Sequence, residues 1–281
     1  MKKRNRFHKL IIYDIKMGFK NNIIKLIGMV IVCLIIVFIG RSAISKNYGG
    51  QATVLDYICF MVGGPKYIPE NMLSMYVIPV LWLLIQVMIA YIVGYYAVTD
   101  LNTYGQQILI RSNSRTKWWI SKCIWNISTV IFLYIIIYGI TFIVAVISGA
   151  KMKMTLTQEI VTSVCNIDML AGTDKEYIII LLCMPILISG SISIVQMVIA
   201  LITSPIIGFI ISQSIVFFST IYSRKFLISN YAMLSHNKIT CMSTISYKEG
   251  IGIGVMVLIV GIIGGGYYFY RCNILPKAQD I

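Results

Sequence analysis

Long apolar runs alternate with short polar segments along the whole chain. The runs occupy residues 23–39, 75–98, 124–148, 177–202, 206–222 and 251–270. About 20 apolar residues in a helix cross the hydrocarbon core of a bilayer. The pattern therefore predicts an all-α polytopic membrane protein with six transmembrane helices, in which residues 1–281 form a single transmembrane domain. The fifth run is short and rich in polar residues, and its expected length of about 25 Å is less than the roughly 30 Å core.

Residues 1–22 have a different pattern, in which basic residues and apolar residues alternate with a helical period. Phe7, Leu10, Ile11 and Ile15 fall on one face, and lysines occupy the other. Such a segment is typical of an amphipathic helix on the surface of the inner leaflet. A basic anchor that sets the orientation of the chain would have the same pattern.

The segments outside the apolar runs also contain predicted local structure. Residues 40–73 are expected to be an outer loop, because they contain the turn signals Gly49-Gly50 and Gly63-Gly64-Pro65. Thr155 and Gln158 have the spacing of a capping box before an apolar stripe, which predicts a short helix on the outer leaflet. Pro205 follows Thr203-Ser204, so the fifth helix is expected to begin at Pro205 and to form a tight hairpin with the fourth.

The composition agrees with a membrane protein, because 58% of the residues are hydrophobic and only 12% are charged. Soluble domains contain about 25% charged residues. The formal net charge of +14 does not require nucleic acid as a partner, because cytoplasmic loops and anionic membrane lipid both favour Lys and Arg. No nucleic-acid partner is therefore expected.

The distribution of charge predicts the orientation. Residues 1–25, 99–123 and 271–281 contain fourteen of the 24 basic residues but only three of the ten acidic residues. Positive charge accumulates on the cytoplasmic side, so both termini are expected there. Residues 223–249 weaken this bias, since they carry four basic residues on the predicted outer side.

Residues 105–125, which begin in the polar segment between the second and third runs, carry four basic residues and no acidic one. They include Arg111, Arg115, Lys117 and Lys122. Ser112 or Ser114 could cap a short helix over 116–124 that lies along the membrane surface. Its tryptophans would lie at headgroup depth and its lysines would face water. An ordinary cytoplasmic loop with an aromatic belt explains the same residues.

The motif apolar-Ile-Arg-Ser-x-Ser-Arg-x-Lys-Trp-Trp-x-x-Lys in this segment resembles the coupling segment of ABC type-2 transporter permeases. In that family a short cytoplasmic coupling helix after the second span docks on a separate ATP-binding subunit. The resemblance implies that the partner-binding residues are Arg111, Ser114, Arg115, Lys117, Trp118 and Trp119. It also implies that the N-terminal helix contributes to docking and that re-entrant helices lie between spans five and six.

The resemblance further implies a permease subunit of an ATP-driven exporter in a bacterial cytoplasmic membrane. Two copies, as a homodimer or a related heterodimer, would pair above two ATP-binding subunits and move a peptide-like or amphipathic cargo. The candidate residues of the substrate path are polar positions within the spans, namely Gln86, Ser212, Gln213 and Ser214. Hydrogen bonding between helices is the alternative explanation for each of them.

The sixth run, together with the residue just before it, contains two pairs of glycines spaced four residues apart, a pattern that allows close contact between helices. These glycines are Gly250, Gly254, Gly261 and Gly265. They are expected to face a neighbouring helix.

The sequence contains none of the residue patterns that are typical of a catalytic site. The predicted spans contain no acidic residue, and the only two histidines, His8 and His236, lie outside them. The seven cysteines are scattered and do not have metal-ligand spacing, and no phosphate-binding loop is present. We therefore expect no catalytic site, metal or cofactor, and no enzymatic activity in this chain. A non-transporting membrane sensor or immunity protein is the main alternative to a permease, and a membrane-embedded enzyme is a more distant one.

Overall fold

The computed structural model of the chain describes residues 2–48, 50–105, 109, 114–167, 170–241 and 245–271. In these residues the secondary structure is helical, apart from one isolated bridge between Thr53 and Lys151. The prediction of an all-α protein is confirmed. The α-helices of the described residues are α1 (Lys2–Asn21), α2 (Ile23–Tyr48), α3 (Val54–Val62), α4 (Val80–Gly94), α5 (Tyr96–Asp100), α6 (Arg115–Ile147), α7 (Gln158–Ser163), α8 (Asp174–Ile178), α9 (Met184–Ile202), α10 (Pro205–Ile221) and α11 (Tyr247–Arg271).

Five helical segments are long and apolar enough to cross a membrane. They are Ile23–Lys46, Val80–Asp100, Arg115–Ile147, Asp174–Ile202 and Tyr247–Arg271. The protein is therefore a multi-pass membrane protein. Helix α10 is also apolar but has only 17 residues, which span about 25 Å.

Helix α6 is one continuous helix of 33 residues, about 50 Å long. The separate surface helix predicted over 116–124 is therefore wrong, because these residues are the first turns of α6. The same face of the helix is buried from one turn to the next, at Trp118, Lys122, Trp125 and Thr129. Packing along this face keeps the first turns in line with the rest of the helix.

A π-helical turn, Ile179–Cys183, joins α8 to α9 just before Pro185. A proline has no N–H group, so the carbonyl four residues earlier, that of Leu181, lacks its usual helical donor. Tyr138 of α6 compensates, because its hydroxyl donates to Leu181 O at 2.8 Å and lies 3.2 Å from Leu182 O. The distortion in the fourth span is thus stabilised by the third.

Helices α9 and α10 form the predicted hairpin. Helix α10 begins at Pro205, as expected, and the Ser204 hydroxyl caps it by accepting from Ile207 N. Gly208 allows the two backbones to approach closely, since a methyl group added there would lie 2.9 Å from Gln196 O. The hairpin therefore depends on a small residue at its tightest contact.

The predicted outer loop at 40–73 is more ordered than expected, because α2 continues to Tyr48 and α3 lies within the loop. Thr53 caps α3, and the buried Asp56 carboxylate accepts from Thr53 N and from Thr157 N, each at 2.9 Å. Desolvation raises the pKa of Asp56, and these backbone hydrogen bonds oppose the rise. The proposed capping box at Thr155 is wrong, because Thr157 is the N-cap of α7 and the carbonyl of Thr155 accepts from Thr53.

The segment between α10 and α11 folds as two short 3₁₀ turns, Ile228–Ala232 and Leu234–His236. The expected re-entrant α-helices are not found in its described residues. Most of the two turns is buried, whereas Phe226 before them is 81% exposed. Each turn is shorter than two helical turns, so neither could enter a leaflet deeply.

Candidate functional site

Three ionised side chains from three helices meet inside the protein. The Lys122 ammonium of α6 lies 2.7 Å from Asp14 Oδ1 of α1 and 2.7 Å from Asp100 Oδ2 at the end of α5. The side chains of Lys122 and Asp14 are fully buried, and that of Asp100 is 7% exposed. We call these three residues the charge cluster.

Polar and aromatic neighbours complete the charge cluster. The Ser121 hydroxyl donates to Asp14 Oδ2, and Trp118 Nε1 donates to Asp100 Oδ2 at 3.3 Å. The Tyr96 hydroxyl donates to the Asp14 carbonyl at 3.1 Å, and the Tyr96 ring lies 4.7 Å from the Lys122 ammonium. A buried ion pair is tolerated only when the remaining donors and acceptors also find partners, and this site meets that condition.

The close approach of α1 to α6 depends on Gly18, one turn after Asp14. A methyl group added at Gly18 would overlap the indole of Trp125. Trp125 in turn packs against Tyr96, with 4.0 Å between ring centroids. Asp14 and Gly18 therefore form the buried face of α1, while Lys9, Lys16 and Lys20 remain exposed. The predicted amphipathic pattern is present, but its innermost side chain is an acidic one.

Within the charge cluster, both carboxylates contact the one ammonium of Lys122. Desolvation raises the pKa of Asp14, and the neighbouring Lys122 opposes that rise. The two ion pairs connect α6, through Lys122, to Asp100 at the end of α5 and to Asp14 of α1. Since both carboxylates have intrachain partners, the chemical role of the charge cluster is that of a cross-link.

The predicted coupling residues are distributed differently from expectation. Ser114 is the N-cap of α6 but makes no side-chain capping bond, and Lys117 is partly exposed. The Arg115 guanidinium donates to the Tyr270 carbonyl at 2.8 Å, which connects the start of α6 to the end of α11. Arg111 lies outside the described residues.

Both predicted tryptophan anchors are buried inside the protein rather than exposed at its surface, and Trp118 is fully buried. Trp118 stacks on Phe269 of α11 with 4.6 Å between ring centroids. Trp119 Nε1 donates to the Ile262 carbonyl at 2.8 Å, and Gly265 leaves space for its indole. Lys122 was expected to face water and is instead buried in the charge cluster. These three corrections share one cause, because α11 and α1 cover the face of α6 that the sequence pattern assigned to the membrane surface.

The predicted path residues lie in or beside a polar region between α4, α9 and α10. Gln86 Oε1 accepts from the Ser189 hydroxyl at 3.3 Å, and the Ser212 hydroxyl donates to Gln196 Oε1 at 3.1 Å. Gln213 lines the same small cavity, and Ser214 is partly exposed. The structure brings Gln86 and Gln213 to one cavity, but its hydrogen bonds connect helices of a single chain.

The glycines of the sixth run lie mainly against α9 and α6. A methyl group added at Gly254 would lie 3.1 Å from Ile188 Cδ1, and one added at Gly261 would lie 2.7 Å from Ile194 Cγ2. Gly250 lies against Tyr231, and Gly265 lies against Trp119. All four positions therefore contact another part of the chain.

Asp14, Asp100 and Lys122 were not selected from the sequence as a site. Asp14 is the only acidic residue among the basic residues of α1, and Asp100 is the only one near the end of the second span. An isolated acid at each of two helix ends, with a lysine on the next helix, was the available signal. In the part of the chain that the structure describes, no group of three His, Cys, Asp or Glu residues could hold a metal ion.

No model of a known protein family, no characterised protein and no solved structure matches this chain.

Proposed function

We propose that this chain is the membrane-spanning permease subunit of an ATP-driven ABC exporter. A separate subunit hydrolyses ATP, and a second permease copy completes the pathway for a peptide-like or amphipathic cargo. The proposal rests on the resemblance of residues 109–122 to a coupling segment and on the way the fold holds the two ends of that segment. The chain is oriented with both termini in the cytoplasm.

The charge cluster is the observation that carries this proposal. Asp100 precedes the basic segment and Lys122 is its last basic residue, and a 2.7 Å ion pair joins them. Asp14 connects the same ammonium to α1, and Arg115 connects the segment to α11. A displacement of the segment by a partner would therefore act on four helices together. A loop that only sets orientation does not need this cross-linking.

The six-span arrangement of such a permease requires α10 to cross the membrane. This is supported by a hydrogen bond between the hydroxyls of Thr220, at the far end of α10, and Tyr76, just before α4. The other end of α10 packs on Ala200, near the end of α9. Helix α10 thus extends along the bundle to the level at which α4 begins.

The competing proposal is a non-transporting membrane sensor or immunity protein. It is favoured by the polar region around Gln86, because Ser189 and Gln196 bind partners within one chain. Hydrogen bonds of this kind hold helices together and do not require a cargo.

The test uses Lys117, because Arg115 already binds the Tyr270 carbonyl and its replacement would disturb the fold. The tagged chain, purified from its native membrane in mild detergent, is expected to carry an ATPase activity. Lys117→Glu should remove most of that activity by repelling an acidic partner surface. Lys151→Glu, an exposed position just beyond the other end of α6, is the matched control and should retain it.

Two results would count against the permease proposal. Wild-type chain without any associated ATPase would favour the sensor or immunity protein. Equal ATPase activity in the Lys117→Glu and wild-type preparations would remove the coupling role of this segment.

A further inference from the structure

Two cysteines from distant parts of the sequence meet outside the spans. Cys59 lies in the second half of α3, and Cys165 follows the end of α7. Neither residue belongs to a helical segment that is long and apolar enough to cross a membrane. Both are free thiols in the structure, and neither has a role in the proposed transport function.

Hydrogen bonds hold α3 beside the segment that contains α7. The Asp56 carboxylate accepts from Thr157 N at 2.9 Å, and the Thr53 hydroxyl donates to the Thr155 carbonyl at 2.6 Å. Cys59 is three residues after Asp56 and therefore lies on the same face of α3. The face of α3 that binds the start of α7 is thus the face that carries the cysteine.

The two cysteines share one apolar core. Cys59 is 2% exposed, and Ile160 and Val161 of α7 are fully buried in the same core. Cys165 packs against this core but remains partly exposed. Its backbone N–H donates to the Val161 carbonyl at 3.1 Å, which fixes Cys165 at the end of α7. One cysteine of the pair is therefore shielded, and the other is accessible from solution.

The thiols themselves are neighbours. A hydrogen bond with the Cys165 thiol, together with burial, raises the pKa of the Cys59 thiol. The thiolate is the reactive form of cysteine, so the partly exposed Cys165 is the residue that starts an exchange reaction. Sulfur atoms that already share a hydrogen bond need only a short approach to reach the bonding distance of a disulfide.

The orientation proposed above places both segments outside the cytoplasm. With six spans and both termini inside, the segment between the first two spans and the segment between the third and fourth lie on the outer side. Disulfides form and persist in compartments outside the cytoplasm, whereas cytosolic thiols are kept reduced. The pair is therefore on the oxidising side of the membrane.

We propose that Cys59 and Cys165 form a disulfide bond in the mature protein. The bond joins α3 to the end of α7 and closes a loop that contains α4, α5 and α6. A cross-link over such a long loop restricts the unfolded chain and so stabilises the fold. The proposal rests on the orientation given under the proposed function, but it does not require transport.

The oxidant is an external disulfide, carried by a thiol–disulfide oxidoreductase. The Cys165 thiolate attacks one sulfur of that disulfide and displaces the other sulfur as a thiolate. The Cys59 thiolate then attacks the Cys165 sulfur and displaces the second sulfur of the oxidant. The protons lost by Cys59 and Cys165 pass to the two released thiolates. Two cysteines are thereby oxidised to one disulfide, and the external disulfide is reduced to two thiols.

Mass spectrometry after thiol blocking tests the proposal. Native membranes are denatured in N-ethylmaleimide without reductant, and the modified cysteines of the full chain are counted. We expect five of the seven cysteines to react before reduction and all seven after it. Peptide mapping without reduction should recover Cys59 and Cys165 in one linked species.

Two variants make the count specific to this pair. Cys59→Ser should raise the count before reduction from five to six although it removes a cysteine, because Cys165 loses its partner. Cys241→Ser, the matched control in the segment between α10 and α11, should lower the count to four, because it removes a cysteine outside the pair.

Seven reactive cysteines in the wild-type chain before reduction would overturn the proposal, whether or not the variants fold. A linked peptide that joins any other pair of cysteines would also overturn it. The thiol count does not involve ATPase activity. A failure of the disulfide would therefore leave the coupling role of residues 109–122 intact, and a failure of the ATPase test would leave the disulfide intact.

Discussion

Single buried polar residues determine how several segments of this protein pack together. In an apolar environment a charge is tolerated only beside a partner, and Lys122 satisfies this through Asp14 and Asp100. Asp56 satisfies it through backbone N–H groups, and His236 by remaining neutral. Each of these residues joins segments that are distant in sequence or fixes a local turn.

Replacing Lys122 tests the charge cluster. Lys122→Met should destabilise the protein by about 3–5 kcal/mol, because it removes the buried cation that contacts both carboxylates. Combining it with Asp14→Asn should cost less than the sum of the single changes. Thermal unfolding in detergent would measure both effects.

Lys16→Met, at an exposed position on α1, is the control and should change the stability by less than about 0.5 kcal/mol. An effect of Lys122→Met no larger than that of the control would show that the charge cluster does not stabilise the fold.

His236 predicts a loss of stability in mild acid. Burial lowers its pKa from 6.5 to about 4, and its Nδ1 lies 3.0 Å from Asn230 Oδ1 and 2.9 Å from the Ser223 hydroxyl. Because the unfolded state binds the proton more tightly, the contribution of His236 is complete above pH 6.5 and is lost as the pH falls towards 4. The slope should approach about 1.4 kcal/mol per pH unit.

Unfolding measured between pH 7.5 and 5 would reveal this dependence. His236→Gln should flatten the curve, whereas His8→Gln, which removes the only other histidine at an exposed site, should not. Parallel curves for the wild type and His236→Gln would contradict the assignment.

At the scale of elements, the helices are positioned by small residues and by hydrogen bonds between helices. Gly208 brings α10 against α9, and Gly18 brings α1 against α6. Tyr138 donates to the carbonyls released before Pro185. The spacing of glycines in α11 was visible in the sequence, but their neighbours were not, because the spacing does not specify which helix packs against them.

Helix α11 allows a matched test, because it has glycines on a packed face and on an open face. Gly254→Leu and Gly261→Leu should each destabilise the protein by about 1–3 kcal/mol through overpacking against α9. Gly252 and Gly264 have no atom within 4 Å of an added methyl group, so leucine should be tolerated at both. The folded yield and the thermal midpoint in detergent are the measurements. Comparable losses at all four positions would remove the packing argument.

At the scale of the whole molecule, the number of crossings decides where the termini lie. Five helical segments meet the length and hydropathy expected of a span, and α10 is shorter. If α10 crosses, the two termini share one side of the membrane, and if it does not, they lie on opposite sides. The hydrogen bond between Thr220 and Tyr76 favours the crossing.

Cysteine labelling in intact cells distinguishes these arrangements. Phe226→Cys, at a highly exposed position after α10, should react with a membrane-impermeant maleimide added outside. Lys16→Cys should react only after permeabilisation, and the unmodified chain supplies the baseline from its natural cysteines. Labelling of Lys16→Cys in intact cells would reverse the orientation, and protection of Phe226→Cys would leave α10 without a crossing.

The sequence alone determined the properties that depend on neighbouring residues: the helical class, the approximate positions of the apolar helices, the start of α10 at Pro205 and the alternation of faces in α1. Only the tertiary structure decided which faces turn inward. In a membrane, lipid and protein interior are both apolar, so hydropathy does not distinguish a lipid-facing tryptophan from Trp118 or Trp119. Burial of Lys122 depends on acidic residues 108 and 22 positions away in the chain. No periodicity records that meeting, because it exists only when α1, α5 and α6 pack together.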